Sequence, residues 1–238
     1  MVQITENWEG GADEADITTT TTQATLVLIS GGGGDPEFEP KAKHDTDVDP
    51  FPGGTTSGRF RCFDDNQPDT YAIADFQIGT PEVNPTALMR FRMDGLGILT
   101  PADGTLSSGA LFECFTNSPL AYAFALVFTQ GKIQFFFSFD APFWRWIKAD
   151  GTLTVDSTQA AVFFAINTNY EISIQWLSAT TFNLLINGTP ANSTPLPVLV
   201  PGLFDTIRVA NTKANANIWY GDFTFGTSVA PQGGDPFT

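Results

Sequence analysis

Histidine and cysteine are almost missing from this chain: it has one histidine, His44, and two cysteines, Cys62 and Cys114. That scarcity excludes a usual structural zinc site, which needs a full set of Cys and His ligands. It also argues against a Ser-His-Asp triad, and no Gly-x-Ser-x-Gly elbow occurs. Basic residues are few as well, 11 Lys and Arg against 26 Asp and Glu, for a formal charge of −15. No run of sequence gathers them, so nucleic acid and anionic membrane are excluded as partners. There is no Walker or dinucleotide glycine motif. Apolar residues never recur at helical i, i+3, i+4 spacing over a useful length, and none of their runs is long enough for a membrane-spanning helix. Met1 to Gly10 lacks both a basic region and an apolar run, so no secretory signal is expected; export would then need assembly, lysis or an unusual route.

What the chain does have is apolar mass, 42% hydrophobic residues with 22 Phe, arranged in alternation. Tyr170, Ile172, Ile174 and Trp176 alternate with Glu171, Ser173 and Gln175, which predicts a strand with one buried face. Ser178 to Thr180 predicts a turn. Phe182, Leu184 and Ile186 predict a second strand, closed by Asn187-Gly188, a pair suited to a type I′ hairpin. The segment with Pro195, Pro197 and Pro201 cannot be a central strand, because proline lacks the ladder donor. Leu203 to Val209 and Trp219 to Phe225 predict two more strands. In the last of these, Trp219, Phe223 and Phe225 are expected on one face, with Tyr220, Asp222 and Thr224 on the other. Further strands are expected at Arg59–Phe63, Tyr71–Ile78, Ala87–Met93, Leu111–Phe115, Tyr122–Phe128 and Lys132–Phe139. About a dozen short strands predict a sandwich.

The run of a strand ending in Trp176, then Phe182-Asn183-Leu184-Leu185-Ile186-Asn187-Gly188, Leu203-Phe204-Asp205-Thr206-Ile207-Arg208-Val209 and Trp219-Tyr220-Gly221-Asp222-Phe223 resembles the closing half of a laminin-G or concanavalin-A-like jelly roll. The resemblance is close over the last quarter and looser over Ala87 to Trp146. It implies an all-β, concanavalin-A-like jelly-roll β-sandwich spanning residues 1–238 as one domain. It also implies that the first strand, near Trp8, lies beside the last. Lectins, glycan-processing enzymes, adhesion modules and virion proteins share this fold, so the fold alone assigns no activity.

Thr18 to Thr22, leading into Leu26-Val27-Leu28-Ile29, predicts an edge strand. Residues 31–57 are expected to form a long irregular loop, rich in Gly and Pro and carrying Asp35, Glu37, Glu39, Asp45, Asp47 and Asp49. Within it, Asp45-Thr46-Asp47-Val48-Asp49 has the alternating oxygen ligands of a calcium loop. Pro50 stands where such a loop turns on Gly, and Thr56 where a bidentate Glu would close it, so a solvated acidic loop is the competing account. Residues 226–238 form a C-terminal tail. Cys62 and Cys114 sit beside aromatics, where buried thiols or a disulfide both fit. Asn187-Gly188-Thr189 and Asn192-Ser193-Thr194 match glycosylation acceptors but serve equally as turn residues.

Phe143-Trp144-Arg145-Trp146 is the most conspicuous aromatic cluster. On a strand, Trp144 and Trp146 share a face and Arg145 takes the other. The pair can fill a core, make a subunit contact with Arg145, or stack on a sugar. A glycosidase needs two carboxylates facing one substrate. Here Glu113 and Glu171 stand alone on their strands, so no enzyme is expected and no cofactor beyond the calcium considered above. The sequence therefore predicts a non-enzymatic structural protein of a large assembly, exterior to a virion. Other subunits would be its partners, holding its loops and tails, and it would form a homo-oligomer. The alternative is a lectin-like module for cell-surface glycan, using Trp144, Trp146 and the loop acids.

Overall fold

Period-two alternation becomes two antiparallel sheets. In this computed structural model the described residues are 3–30, 40–48, 56–62, 71–83, 86–95, 109–117, 120–129, 131–136, 145–197, 203–212 and 216–226, with 109–117 and 120–129 described by their backbone. Nine strands build one sheet: β1 (Gln3–Glu6), β3 (Lys41–Asp45), β4 (Ser57–Cys62), β6 (Thr86–Met93), β12 (Tyr170–Ser178), β13 (Thr181–Ile186), β14 (Thr189–Pro190), β15 (Leu196–Pro197) and β17 (Ala216–Gly226). Eight build the other: β2 (Leu26–Ser30), β5 (Tyr71–Val83), β7 (Gly109–Asn117), β8 (Leu120–Thr129), β9 (Lys132–Phe136), β10 (Arg145–Ile147), β11 (Leu153–Thr154) and β16 (Leu203–Thr212). The first runs β14-β13-β12-β6-β17-β4-β3, with β1 on β17 and β15 on β13; the second runs β11-β10-β9-β8-β7-β16-β5-β2. The result is an all-β, antiparallel jelly-roll sandwich, as the sequence predicts.

The core lies between the sheets. Phe60, Phe91, Ile172, Ile174, Phe182, Leu184, Ile218, Tyr220, Phe223 and Phe225 come from the nine-stranded sheet, and Ala74, Phe76, Ile133, Phe135, Ile207 and Val209 from the other. Aromatic rings meet across the gap: Phe76 with Phe223 at 4.5 Å between centroids, and Phe135 with Phe182 at 5.6 Å. The Tyr220 hydroxyl crosses from sheet to sheet to donate to the Ala210 carbonyl at 2.9 Å. Burial pushes that hydroxyl's pKa well above the usual phenol value.

The N-terminal strand pairs with the last one, Gln3 opposite Gly226 through Glu6 opposite Phe223. Trp8 follows it and is fully buried, edge-on to Phe60 and Phe76, with its indole N–H donating to the Gly221 carbonyl at 2.9 Å. A Cβ on Gly58 would lie 2.7 Å from the Trp8 ring, so β4 can pass the indole only with glycine there. Asn187 and Gly188 both take positive φ, 48° and 75°, as a type I′ turn requires.

Three expectations are corrected. Residues 31–57 are not wholly irregular, because β3 lies within them. Its inward residues Ala42 and His44 are fully buried, but neither is a strong apolar marker. Thr18–Thr22 forms a turn rather than a strand. There the Thr18 hydroxyl accepts from the Thr20 amide and the Thr22 hydroxyl from the Ala24 amide, so side chains satisfy the backbone in place of a ladder. Finally, a register shift between Tyr220 and Phe223 breaks the alternation of β17. The extra residue puts Tyr220 on the core side with Phe223 and Phe225, and turns Trp219 outward.

Candidate ligand-binding face

Three tripeptides share one design: Lys41-Ala42-Lys43, Arg59-Phe60-Arg61 and Arg90-Phe91-Arg92. Each lies on a strand of the nine-stranded sheet, and each central residue is fully buried. A period of two then sends both flanking cations outward. The register brings them together. Lys43 pairs with Arg59, Arg59 with Trp219, and Trp219 with Arg92, giving one row across β3, β4, β17 and β6. A second row runs Lys41, Arg61, Asn217. Arg90 lies in a third, opposite Glu171 of β12. Six of the eleven Lys and Arg residues thus share one face of one sheet. The expectation that no cationic cluster exists is corrected; the cations are scattered in sequence and gathered by strand pairing. The legible signal was the repeated cation-x-cation spacing around a core residue.

Acids join the face, so its charge is mixed. Asp45 is 3% exposed. Its Oδ2 accepts from Arg59 Nη1 and Trp219 Nε1, both at 2.9 Å, and its Oδ1 from the amides of Asp47 and Val48 at 2.9 and 3.0 Å. Arg59 Nη2 also holds the Glu14 carboxylate at 2.5 and 2.7 Å, and Lys43 pairs with Asp16 at 2.6 Å. Arg90 Nε meets Glu171 at 3.2 Å. Asp94 accepts from both the backbone and the side-chain N–H of Asn217. Arg92 differs: its Nη2 donates to the Asn167 side-chain oxygen at 3.3 Å, and no carboxylate among the described residues pairs with it. The Nε atoms of Arg59, Arg61 and Arg92 are buried without an acceptor. Beside the face, the Thr46 amide holds the Asp13 carboxyl below the usual carboxylate range.

The residues singled out from sequence lie elsewhere or do other work. Trp146 is on the eight-stranded sheet, opposite Gln134 and Thr154, and points away from the shared core. It is 6% exposed, which leaves no open ring for stacking on a sugar. Arg145 is on the opposite face of the same strand, level with Phe135. Trp144 and Asp49 lie outside the described residues, as do the side chains of Cys62 and Cys114. The Asp45 carboxylate accepts from four donors, the Asp47 amide among them. Among the described residues no group of three or more His, Cys, Asp or Glu side chains is placed to hold a metal ion. His44 is no ligand either. It is fully buried, with Nδ1 2.7 Å from the Trp8 carbonyl and Nε2 3.0 Å from the Thr21 hydroxyl.

Chemically the face offers guanidinium groups and side-chain amides, around a Trp219 indole that is 8% exposed and held by its N–H to Asp45. It can hydrogen-bond hydroxyl and carboxylate groups.

No protein-family model matches the chain, and no curated protein matches it in sequence. Solved structures do match in shape. The cellulose-induced protein Cip1 superposes with a TM-score of 0.53 at 10% identity, covering 95% of this chain and 99% of that one. The globular domain of T. cruzi calreticulin gives 0.48 at 7% identity, covering 82% of each chain. A botulinum neurotoxin type C structure, whose cell entry is described as dependent on two ganglioside molecules, gives 0.47 at 10% identity. It covers 96% of this chain and 48% of that one. The likeness to Cip1 shows the fold and nothing more; the other two are too distant to carry weight. No helix among the described residues is long and apolar enough to cross a membrane.

Proposed function

We propose that the chain is a non-enzymatic, lectin-like module that binds carbohydrate on the outer face of its nine-stranded sheet. The observation that carries this is the row Lys43, Arg59, Trp219, Arg92, flanked by Asn217, Asn167 and Asp94. Leu26, Leu28 and Ile29, the exposed apolar side chains of β2, lie on the other sheet, and Leu177, 50% exposed, lies on β12, two strands away from Trp219. A protein partner would be met by apolar anchors at its interface core; a polyhydroxylated ligand needs the polar, planar donors this face supplies. Asp45, Glu171, Glu14 and Asp16, the acids of the face with ion-pair partners, are engaged as acceptors, which supports binding over acid–base catalysis. A glycan array probed with the purified chain tests this. Binding that weakens at least tenfold in Arg92→Ala supports it, and no binding to any glycan, or binding untouched by that change, contradicts it.

A second reading, self-association, is favoured by β2. It ends the eight-stranded sheet, with Leu26, Leu28 and Ile29 at 39%, 40% and 46% exposure and no strand among the described residues on its outer side. No charged residue occurs between Asp16 and Asp35, so two copies of this acidic chain could pair β2 with β2 without opposing like charges. A dimer in sedimentation that becomes a monomer in Leu28→Lys supports this reading; a wild-type monomer at high concentration removes it. The virion placement finds no support in the fold, and residues 31–39, 49–55 and 227–238, in the loop and tail expected to be held by other subunits, lie outside the described residues.

A further inference from the structure

The proposed face is short of acceptors, and the shortage is uneven. Lys43, Arg59 and Arg90 each hold a carboxylate of the chain itself, from Asp16, Glu14 with Asp45, and Glu171. Arg92 holds only an amide oxygen at 3.3 Å, and its Nε, like those of Arg59 and Arg61, is buried without an acceptor. Yet Arg92 stands mid-sheet on β6, with Trp219 level with it on β17. Buried donors in native proteins are nearly always satisfied, and a cluster that is not calls for an ion or ligand. A guanidinium matches a carboxylate with two parallel N–H···O bonds, a geometry that no neutral hydroxyl reproduces.

We infer that the carbohydrate recognised here carries a carboxylate, and that Arg92 receives it. This rests on the glycan-binding reading above and narrows it to acidic sugars. The excess of 15 negative charges does not forbid it. At physiological ionic strength the screening length is about 8 Å, so acids beyond the face are largely muted while a contact at Arg92 is not. The chain's own contacts show the chemistry nearby: the Glu14 carboxylate, on a side chain 57% exposed, places both its oxygens on Arg59 Nη2.

The test is a titration of the full chain with three probes: oligomers of galacturonic acid, the same oligomers methyl-esterified, and a neutral gluco-oligosaccharide. Arg92→Gln and Arg92→Lys are run alongside, each checked for a wild-type melting curve. The expected result is binding to the free acid at least tenfold tighter than to the ester. Arg92→Gln should abolish that preference, and Arg92→Lys should retain only part of it because the fork is gone. Equal affinity for acid and ester, or neutral glucan preferred, overturns this inference and leaves the glycan-binding reading standing. No binding to any of the three overturns both.

Discussion

The two sheets turn very different outer faces away from their common core. The face of the nine-stranded sheet carries half-buried Lys43, Arg59 and Arg92, with Trp219 and Arg90 among them at 8% and 9% exposure. The face of the eight-stranded sheet carries Ile73, Ala210, Gln134 and Trp146, all at most 9% exposed. Both hold arginine, in opposite situations. Arg208 grips Asp75 with two bonds, Nε to Oδ1 at 2.6 Å and Nη2 to Oδ2 at 2.8 Å, and the Asp75 side chain is 4% exposed. Arg92 has only the Asn167 amide oxygen. Side chains of one type, on strands of one fold, meet a buried carboxylate at Arg208 and only an amide oxygen at Arg92. What separates them is whether the chain supplies the matching carboxylate.

Removing each arginine is the strongest way to break this comparison. Arg208→Ala strands Asp75 in a buried site and is expected to cost about 3 kcal/mol, the range for breaking a buried pair. Arg92→Ala is expected to change stability by less than about 0.5 kcal/mol. Urea unfolding of both variants checks this; equal losses would mean that Arg92 is structural.

The register of β17 sharpens it next. If the bulge turns Trp219 outward, Tyr220 must face the core. Tyr220→Phe should then lose the hydrogen bond to Ala210 and about 1 kcal/mol of stability. The same burial gives a pH signature. The folded-state pKa lies above the ordinary value of 10.0. The unfolded chain therefore releases this proton first, and stability contributed by the neutral hydroxyl is fully present below about pH 10 and lost as pH rises beyond it. Melting temperature against pH should fall less steeply above that point in Tyr220→Phe; identical slopes would place Tyr220 outside the core.

The smallest effect belongs to Glu14. Its pair with Arg59 is exposed, so Glu14→Gln should shift stability by no more than about 0.5 kcal/mol. It should also leave acidic-glycan binding intact or stronger. Weaker binding would show that Glu14 organises the face rather than occupying it.

Much of this was legible in the chain. The alternation through Tyr170–Trp176, the Asn187-Gly188 turn and the Leu203–Val209 strand stand where the pattern puts them, because hydrophobic period and turn chemistry are local. The open face was not, because it is made by pairing. Lys41-Ala42-Lys43 has one small apolar residue and no strand signal, and it becomes β3 only through its ladder with Ser57–Arg61. Trp219 was assigned to the core because nothing in Trp219-Tyr220-Gly221-Asp222-Phe223 announces an extra residue; the bulge is visible only against β6. Trp146 drew attention for its neighbours in sequence, whereas its position opposite Gln134 depends on β9.

The most direct measurement is a nuclear magnetic resonance titration of the indole N–H signals with an acidic oligosaccharide. Five tryptophans give five such signals, and the Trp219 signal is identified by its loss in Trp219→Phe. Its N–H is fixed to Asp45, so it reports on this face alone. The Trp219 signal is expected to move on titration while that of Trp146 stays in place. Movement of Trp146 with Trp219 unchanged would place the ligand on the other sheet and contradict the account.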